Sequence, residues 1–149
     1  MGYILVVGIV FLVDFFIKKK VDEKRKLGEI STVLRDKIMI RKYYNKGMML
    51  DSLEKWPCLV RILCGAVLAF AGVMLFLLCR EKGKRGMKLG LAMIIGGGAS
   101  NFYDRLTKGY VIDYFSIKCR FPKLQRIVFN ISDWFIFLGS LLLLLFRKK

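Results

Sequence analysis

The block Pro57–Cys79 is apolar over a stretch longer than the roughly 20 residues an α-helix needs to cross a bilayer. Ile127–Phe146 is a second block of that kind. Two shorter blocks, Tyr3–Ile17 and Leu89–Tyr103, reach full length only by taking in Asp14 or the run Gly96-Gly97-Gly98. Helices satisfy their own backbone groups in lipid, so the pattern predicts a mainly α membrane protein. The expected architecture is a four-transmembrane-helix bundle, a single integral membrane domain over 1–149, with spans near 3–17, 57–79, 88–103 and 127–146. The composition, 56% hydrophobic, agrees. A soluble helical bundle with a very apolar core is the competing fold. The first block does not read as a cleaved leader. Met1-Gly2-Tyr3 carries no side-chain charge, and Lys18-Lys19-Lys20 follows where a small-residue cleavage site belongs.

The connector 18–56 is expected to form a small extramembrane cap of strand and loop. Its first part, Lys18–Leu34, reads as a charged helix at the head groups. The alternation Lys37-Ile38-Met39-Ile40-Arg41 fits a short strand. In span three, Gly96–Gly98 and Ala99 suit close helix packing. The net charge of +16 lies in the connectors, where anionic head groups are the simpler partner. Membrane lipids are therefore expected as partners, and nucleic acid is not. A raw positive-inside count places the two long connectors, which hold most of the Lys and Arg, in the cytoplasm.

There is no histidine, which removes Ser-His-Asp and Cys-His nucleophile systems and HExxH metalloproteases. Cys58, Cys64, Cys79 and Cys119 form no CxxC and no zinc pattern. No metal or organic cofactor is expected.

Two aspartates stand out. Asp133 lies inside the fourth block, and Asp113 lies just past the third. A carboxylate near lipid is expensive to keep and is a functional candidate by default. Consecutive antiparallel spans bring both to one membrane face. Two close carboxylates share one proton, because mutual repulsion splits their titration; such a pair can hydrolyse a peptide bond. Asn130, three residues before Asp133, would share a helix face with it. The residues alone leave open that Asp113 caps a turn and Asp133 bonds a neighbouring helix, each for structure. Asp104-Arg105 adds fixed charge near the surface, and Arg105 suits either a carboxylate, a head group or a plain interfacial position. Asp14 and Lys18 are spaced for an i,i+4 ion pair, either supporting the site or merely interfacial.

These motifs resemble the signal peptidase II family of bacterial lipoprotein signal peptidases. That family carries Asn-x-x-Asp-Arg-x-x-x-Gly-x-Val-x-Asp-Phe after its third span. Here the block runs from Asn101 through Asp104-Arg105, Gly109, Val111 and Asp113 to Tyr114. The family's Phe-Asn-x-Ala-Asp matches Phe129-Asn130-Ile131-Ser132-Asp133, its Gly-Gly matches Gly96-Gly97, and its first-span Asp-x-x-x-Lys matches Asp14 and Lys18. The resemblance implies an intramembrane aspartic endopeptidase that cuts prolipoproteins before a diacylglyceryl-modified cysteine. It implies Asp113 and Asp133 as the catalytic dyad, with Asp14, Lys18, Asn45, Asn101, Asp104, Arg105 and Asn130 supporting the site or binding substrate. It further implies a multi-pass protein of the bacterial cell membrane, working as a monomer, with its termini in the cytoplasm, the cap of connector 18–56 extracytoplasmic and the dyad near the outer face. That orientation overrides the raw charge count, since long basic segments bias topology weakly.

The chain departs from the pattern at several places. Ser100 replaces glycine, Ser132 replaces alanine and Tyr114 replaces phenylalanine. Of the family's Asn-x-Gly-Ala-Ala-Phe segment, Asn45-Lys46-Gly47-Met48-Met49-Leu50 keeps only Asn45 and Gly47. These changes leave the dyad intact and mark a divergent member, with the difference falling on substrate recognition. Two rival functions are a non-catalytic paralogue that binds lipid-modified peptides and a small ion-coupled transporter. Transporters often show internal repeats, and the two halves here show none.

Overall fold

Three consecutive glycines make one helix the axis of the fold. In a computed structural model describing residues 2–47, 53–121 and 125–147, helix α3 (Arg85–Thr107) packs against α1 (Gly2–Lys24), α2 (Pro57–Arg80) and α4 (Ile131–Phe146). Gly96 faces α1, where an added Cβ would stand 2.8 Å from the Val7 carbonyl oxygen. Gly97 faces α4, 2.6 Å from the Ser132 carbonyl oxygen, and Gly98 faces α2, 2.8 Å from Leu68 Cδ2. Small residues let helix backbones approach this closely. Because Gly97 meets backbone and Gly98 meets only a leucine tip, the two positions are expected to differ. Gly97→Ala should lower stability by about 1–3 kcal/mol through overpacking. Gly98→Ala should change it far less. Thermal unfolding of both variants in detergent checks this; equal melting temperatures would contradict it.

Among the described residues a helix lies at each of the four predicted spans, with shifted ends. The first continues through Lys24, so Lys18 lies within it rather than opening a separate head-group helix, and the chain then turns into β1 (Ile30–Val33). The third continues through Thr107 and takes in Asn101, Asp104 and Arg105. The fourth begins at Ile131, because Phe129 is extended and exchanges backbone hydrogen bonds with Phe115 (N···O 2.7 and 3.0 Å). Among the described residues, α2 alone is long and apolar enough to cross a membrane by length and composition; α4 is apolar and has 16 residues. Helices α1 and α3 carry charges, and four of these, Asp14, Lys18, Lys88 and Asp104, are buried. Outward residues such as Ile4, Leu5, Phe16, Ile62, Val67, Phe70, Phe76, Phe137 and Leu144 are exposed and apolar.

The strand expected near Lys37–Arg41 is β2 (Ile38–Asn45), the centre of an antiparallel sheet ordered β1-β2-β3, with β3 at Val111–Ile117. The register shifts between Ile40, opposite Phe115, and Tyr43, opposite Asp113. A one-residue shift turns the following side chains to the other face. It puts Tyr43 and Asn45 on the same face as Asp113 and Val111, which pairs with Asn45. The sheet thus delivers Asn45 and Asp113 together. Met48–Leu50, which hold the rest of the altered connector motif, lie outside the described residues.

Candidate active site

Two side-chain amides organise the centre of the molecule. Asn130 is the N-cap of α4, and Asn is among the preferred residues there. Its Oδ1 accepts from the Asp133 backbone N–H at 3.0 Å, and its own N–H donates to Asp133 Oδ2 at 3.0 Å, a capping box. Asp133 is therefore in the first turn of the helix, and Asn130 is a cap rather than a partner on one helix face. With Oδ1 committed, Asn130 Nδ2 donates to Asp113 Oδ1 at 2.7 Å and to Asn101 Oδ1 at 3.0 Å.

Asn101 is oriented from the other side. Lys18 Nζ donates to its Oδ1 at 2.7 Å, which leaves Nδ2 to donate to Asp133 Oδ1 at 3.0 Å. Asn45 Nδ2 completes the set, donating to Asp113 Oδ2 at 3.0 Å. Each carboxylate thus receives one side-chain amide donor whose direction is imposed by a second contact, Asn130 for Asp113 and Asn101 for Asp133. Burial, and next the charge of Asp133, push the Asp113 carboxyl up to about 7, against the lowering effect of Asn45 and Asn130.

Beneath the amides lies a buried charge cluster. Lys18 Nζ is 2.7 Å from Asp14 Oδ2 and 3.1 Å from Asp104 Oδ2, and Asp104 Oδ1 also meets Lys108 at 3.0 Å. Asp14 and Lys18 make the predicted i,i+4 pair, and it is wholly interior: 0% and 1% exposed. Asp104 does not stand at the surface; it also accepts from the Ile112 backbone N–H and so ties α3 to β3. Arg105 is half-buried and meets no carboxylate among the described residues. It donates to the Gly47 carbonyl at 2.9 Å and to the Asn101 carbonyl at 3.3 Å, holding the chain just beyond Asn45.

All nine residues singled out from the sequence therefore belong to one connected network. Six of them, Asn45, Asn101, Arg105, Asp113, Asn130 and Asp133, also line a cavity of about 790 Å³. The cavity lies between α2, which contributes Leu63, Cys64 and Val67, and α4, which contributes Ile136 and Phe137. Its wall is mostly apolar away from the two carboxylates. Three contributors carried no functional signal in the sequence beyond being departures from a pattern: Ser100, Ser132 and Tyr114, all bonded to Asp14. Burial, then the charge of Asp14, push the Tyr114 phenol up, which keeps its hydroxyl a donor. Tyr43 and Arg126 also line the cavity and had not been singled out.

Comparison with known proteins places this arrangement. Residues 6–147 match the family model described as Signal peptidase (SPase) II. The lipoprotein signal peptidase of Wigglesworthia glossinidia brevipalpis is 33% identical over 151 residues, covering 97% of this chain and 92% of that protein. The lipoprotein signal peptidase of Halothermothrix orenii is 31% identical, covering 95% and 92%. A solved structure described as a bacterial membrane enzyme has the same fold, with a TM-score of 0.83 over 99% of this chain and 88% of that one, at 21% identity. With a family match over nearly its whole length and its characteristic residues gathered at one site, the chain belongs to the signal peptidase II family.

Proposed function

We propose that this chain is an intramembrane aspartic endopeptidase that removes signal peptides from prolipoproteins before the lipid-modified cysteine. The observation that carries the reading is the convergence of Asp113 and Asp133, each with an oriented amide donor, on one largely apolar cavity. A plain binding protein has no need of a pair of buried carboxylates, and the cavity's apolar wall suits an acyl-bearing peptide.

The two carboxylates hold one proton between them. It rests on Asp113, whose buried side chain resists ionisation beside Asp133. Asp133 takes a proton from water as the water oxygen attacks the scissile carbonyl carbon. Asp113 delivers its proton to the carbonyl oxygen. Collapse of the resulting diol breaks the C–N bond: the amine leaves with the proton that Asp133 took from water, and a diol hydroxyl returns a proton to Asp113, which restores the one-proton pair. Water is the only co-reactant.

Four spanning helices with cytoplasmic termini would put this site near the outer face of the bacterial cell membrane. The exposed apolar sides of α1, α2 and α4 support that placement. A substrate helix would enter between α2 and α4, the two helices that flank the cavity. One chain supplies every side chain of the site, so a monomer suffices, and surrounding lipid is its solvent.

The pH dependence follows from Asp113. Its carboxyl lies at about 7 rather than 3.8, so the one-proton pair is lost as pH rises through about 7. The rate kcat/KM for cleavage of a diacylglyceryl-modified prolipoprotein should fall on the alkaline side with an apparent pKa near 7 that belongs to the pair. The same shift contributes stability that is complete below 3.8 and is lost as pH rises through about 7. A rate that is flat across this range would contradict the shared proton.

A further inference from the structure

Behind the two carboxylates, Asp14 is held by three hydroxyls from three different elements. Ser100 Oγ on α3 and Ser132 Oγ on α4 each donate to Asp14 Oδ2 at 2.6 Å, and Tyr114 OH on β3 donates to Oδ1 at 3.1 Å. Lys18 is the fourth donor, at 2.7 Å. The Tyr114 hydroxyl also accepts from the Ile131 backbone N–H at 2.9 Å, so it joins β3 to the start of α4 as well as to α1. All of these side chains are buried.

Sequence adjacency gives the cluster its meaning. Ser100 immediately precedes Asn101, Tyr114 immediately follows Asp113, and Ser132 immediately precedes Asp133. Each hydroxyl is therefore a peptide unit away from a residue of the amide and carboxylate network. The three positions are also the ones at which this chain carries a hydroxyl where the resembling pattern has glycine, phenylalanine and alanine. An apolar or absent side chain at any of them would leave a buried carboxylate with one donor fewer, and an under-satisfied buried acceptor is costly.

From this convergence we infer that Ser100, Tyr114 and Ser132 are positioning residues, a hydroxyl clamp on Asp14 that sets where Asn101, Asp113 and Asp133 stand relative to one another. The inference rests on the proposed peptidase reading, since its readout is cleavage. The clamp touches no substrate, so its loss should be felt in turnover and not in binding.

The test uses the full chain in detergent, with a diacylglyceryl-modified prolipoprotein, well below the unfolding temperature of each variant. Tyr114→Phe and Ser132→Ala should each lower kcat about three- to tenfold, the scale of one hydrogen bond, with KM within about twofold. The double variant should lose less than the product of the two single losses, because both deletions remove a donor from the same Asp14 carboxylate and so loosen the same anchor. A role in stability alone predicts lower melting temperatures with kcat unchanged, and that result would overturn the clamp. So would strictly multiplicative losses. Asp113→Asn, run alongside, separates the two levels. If it is inactive while Tyr114→Phe retains full kcat, the clamp alone falls. If Asp113→Asn cleaves normally, the peptidase reading falls and the clamp falls with it.

Discussion

Asp113→Asn is expected to reduce kcat for prolipoprotein cleavage by about 10²–10⁴-fold, the usual worth of a positioned acid or base. The substitution keeps the size of the side chain. It removes the proton that Asp113 holds up to about pH 7, and an amide cannot deliver one to the scissile carbonyl. It also turns an NH₂ group towards either Asn45 or Asn130, both of which donate to the native carboxylate at 3.0 and 2.7 Å. Asp133→Asn should be as damaging for a complementary reason: it cannot take a proton from water. KM should move little in either variant, since most of the cavity wall is contributed by other residues. Steady-state rates on a lipid-modified prolipoprotein check both, and a variant within tenfold of the unmodified chain would contradict the dyad.

Lys18→Met is expected to produce the largest loss of stability from a single substitution. Lys18 Nζ sits between Asp14 at 2.7 Å and Asp104 at 3.1 Å, with all three side chains at most 2% exposed. Removing one partner of a buried ion pair costs about 3–5 kcal/mol, because the remaining charge stays buried without compensation. Here two carboxylates share one buried ammonium, although Asp104 keeps Lys108 at 3.0 Å and Asp14 keeps its hydroxyls. Turnover should fall too, since Asn101 loses the contact that points its Nδ2 at Asp133. Lys19→Met, one residue along, is the comparison. Its side chain is 60% exposed and its partner Glu23 is 4.0 Å away, so its effect on stability should stay within about 0.5 kcal/mol. Denaturant or thermal unfolding in detergent measures both. Similar stability for the two variants would contradict the interior role assigned to Lys18.

The residues of the site were legible in the sequence to a greater degree than the backbone that carries them. Asp113 and Asp133 could be picked out because carboxylates beside apolar blocks are rare, and Asp14 and Lys18 because their spacing fits a helix. The start of α4 was misplaced because Ile127-Val128-Phe129 is as apolar as the helix that follows; hydropathy does not distinguish an extended segment bonded to Phe115 from a helical turn. Asn130 is the residue that could have marked the boundary, being a favoured N-cap three positions before an acidic residue. The end of α3 was underestimated for the opposite reason. Asn101, Asp104 and Arg105 look like a polar loop, yet they continue the helix because Lys18, Asp133 and the Gly47 carbonyl receive them on the inside. The register shift that aligns Asn45 with Asp113 leaves no mark in hydropathy at all. Charge counting treats all basic residues alike, which the structure does not. Lys18 and Lys42 are buried and paired, Lys42 with Asp22 at 2.7 Å, and so are not free connector charges.

The central claim, that two carboxylates in this chain cut a prolipoprotein at its lipid-modified cysteine, is tested most directly by product mass. The purified full chain is incubated in detergent with a diacylglyceryl-modified prolipoprotein and with its unmodified counterpart, and the products are weighed by mass spectrometry. The account predicts a fragment beginning at the lipid-modified cysteine, its absence from the unmodified substrate, and its absence with Asp133→Asn. The same fragment formed at an undiminished rate by Asp133→Asn, or no fragment when the unsubstituted enzyme meets the lipid-modified substrate, would contradict it.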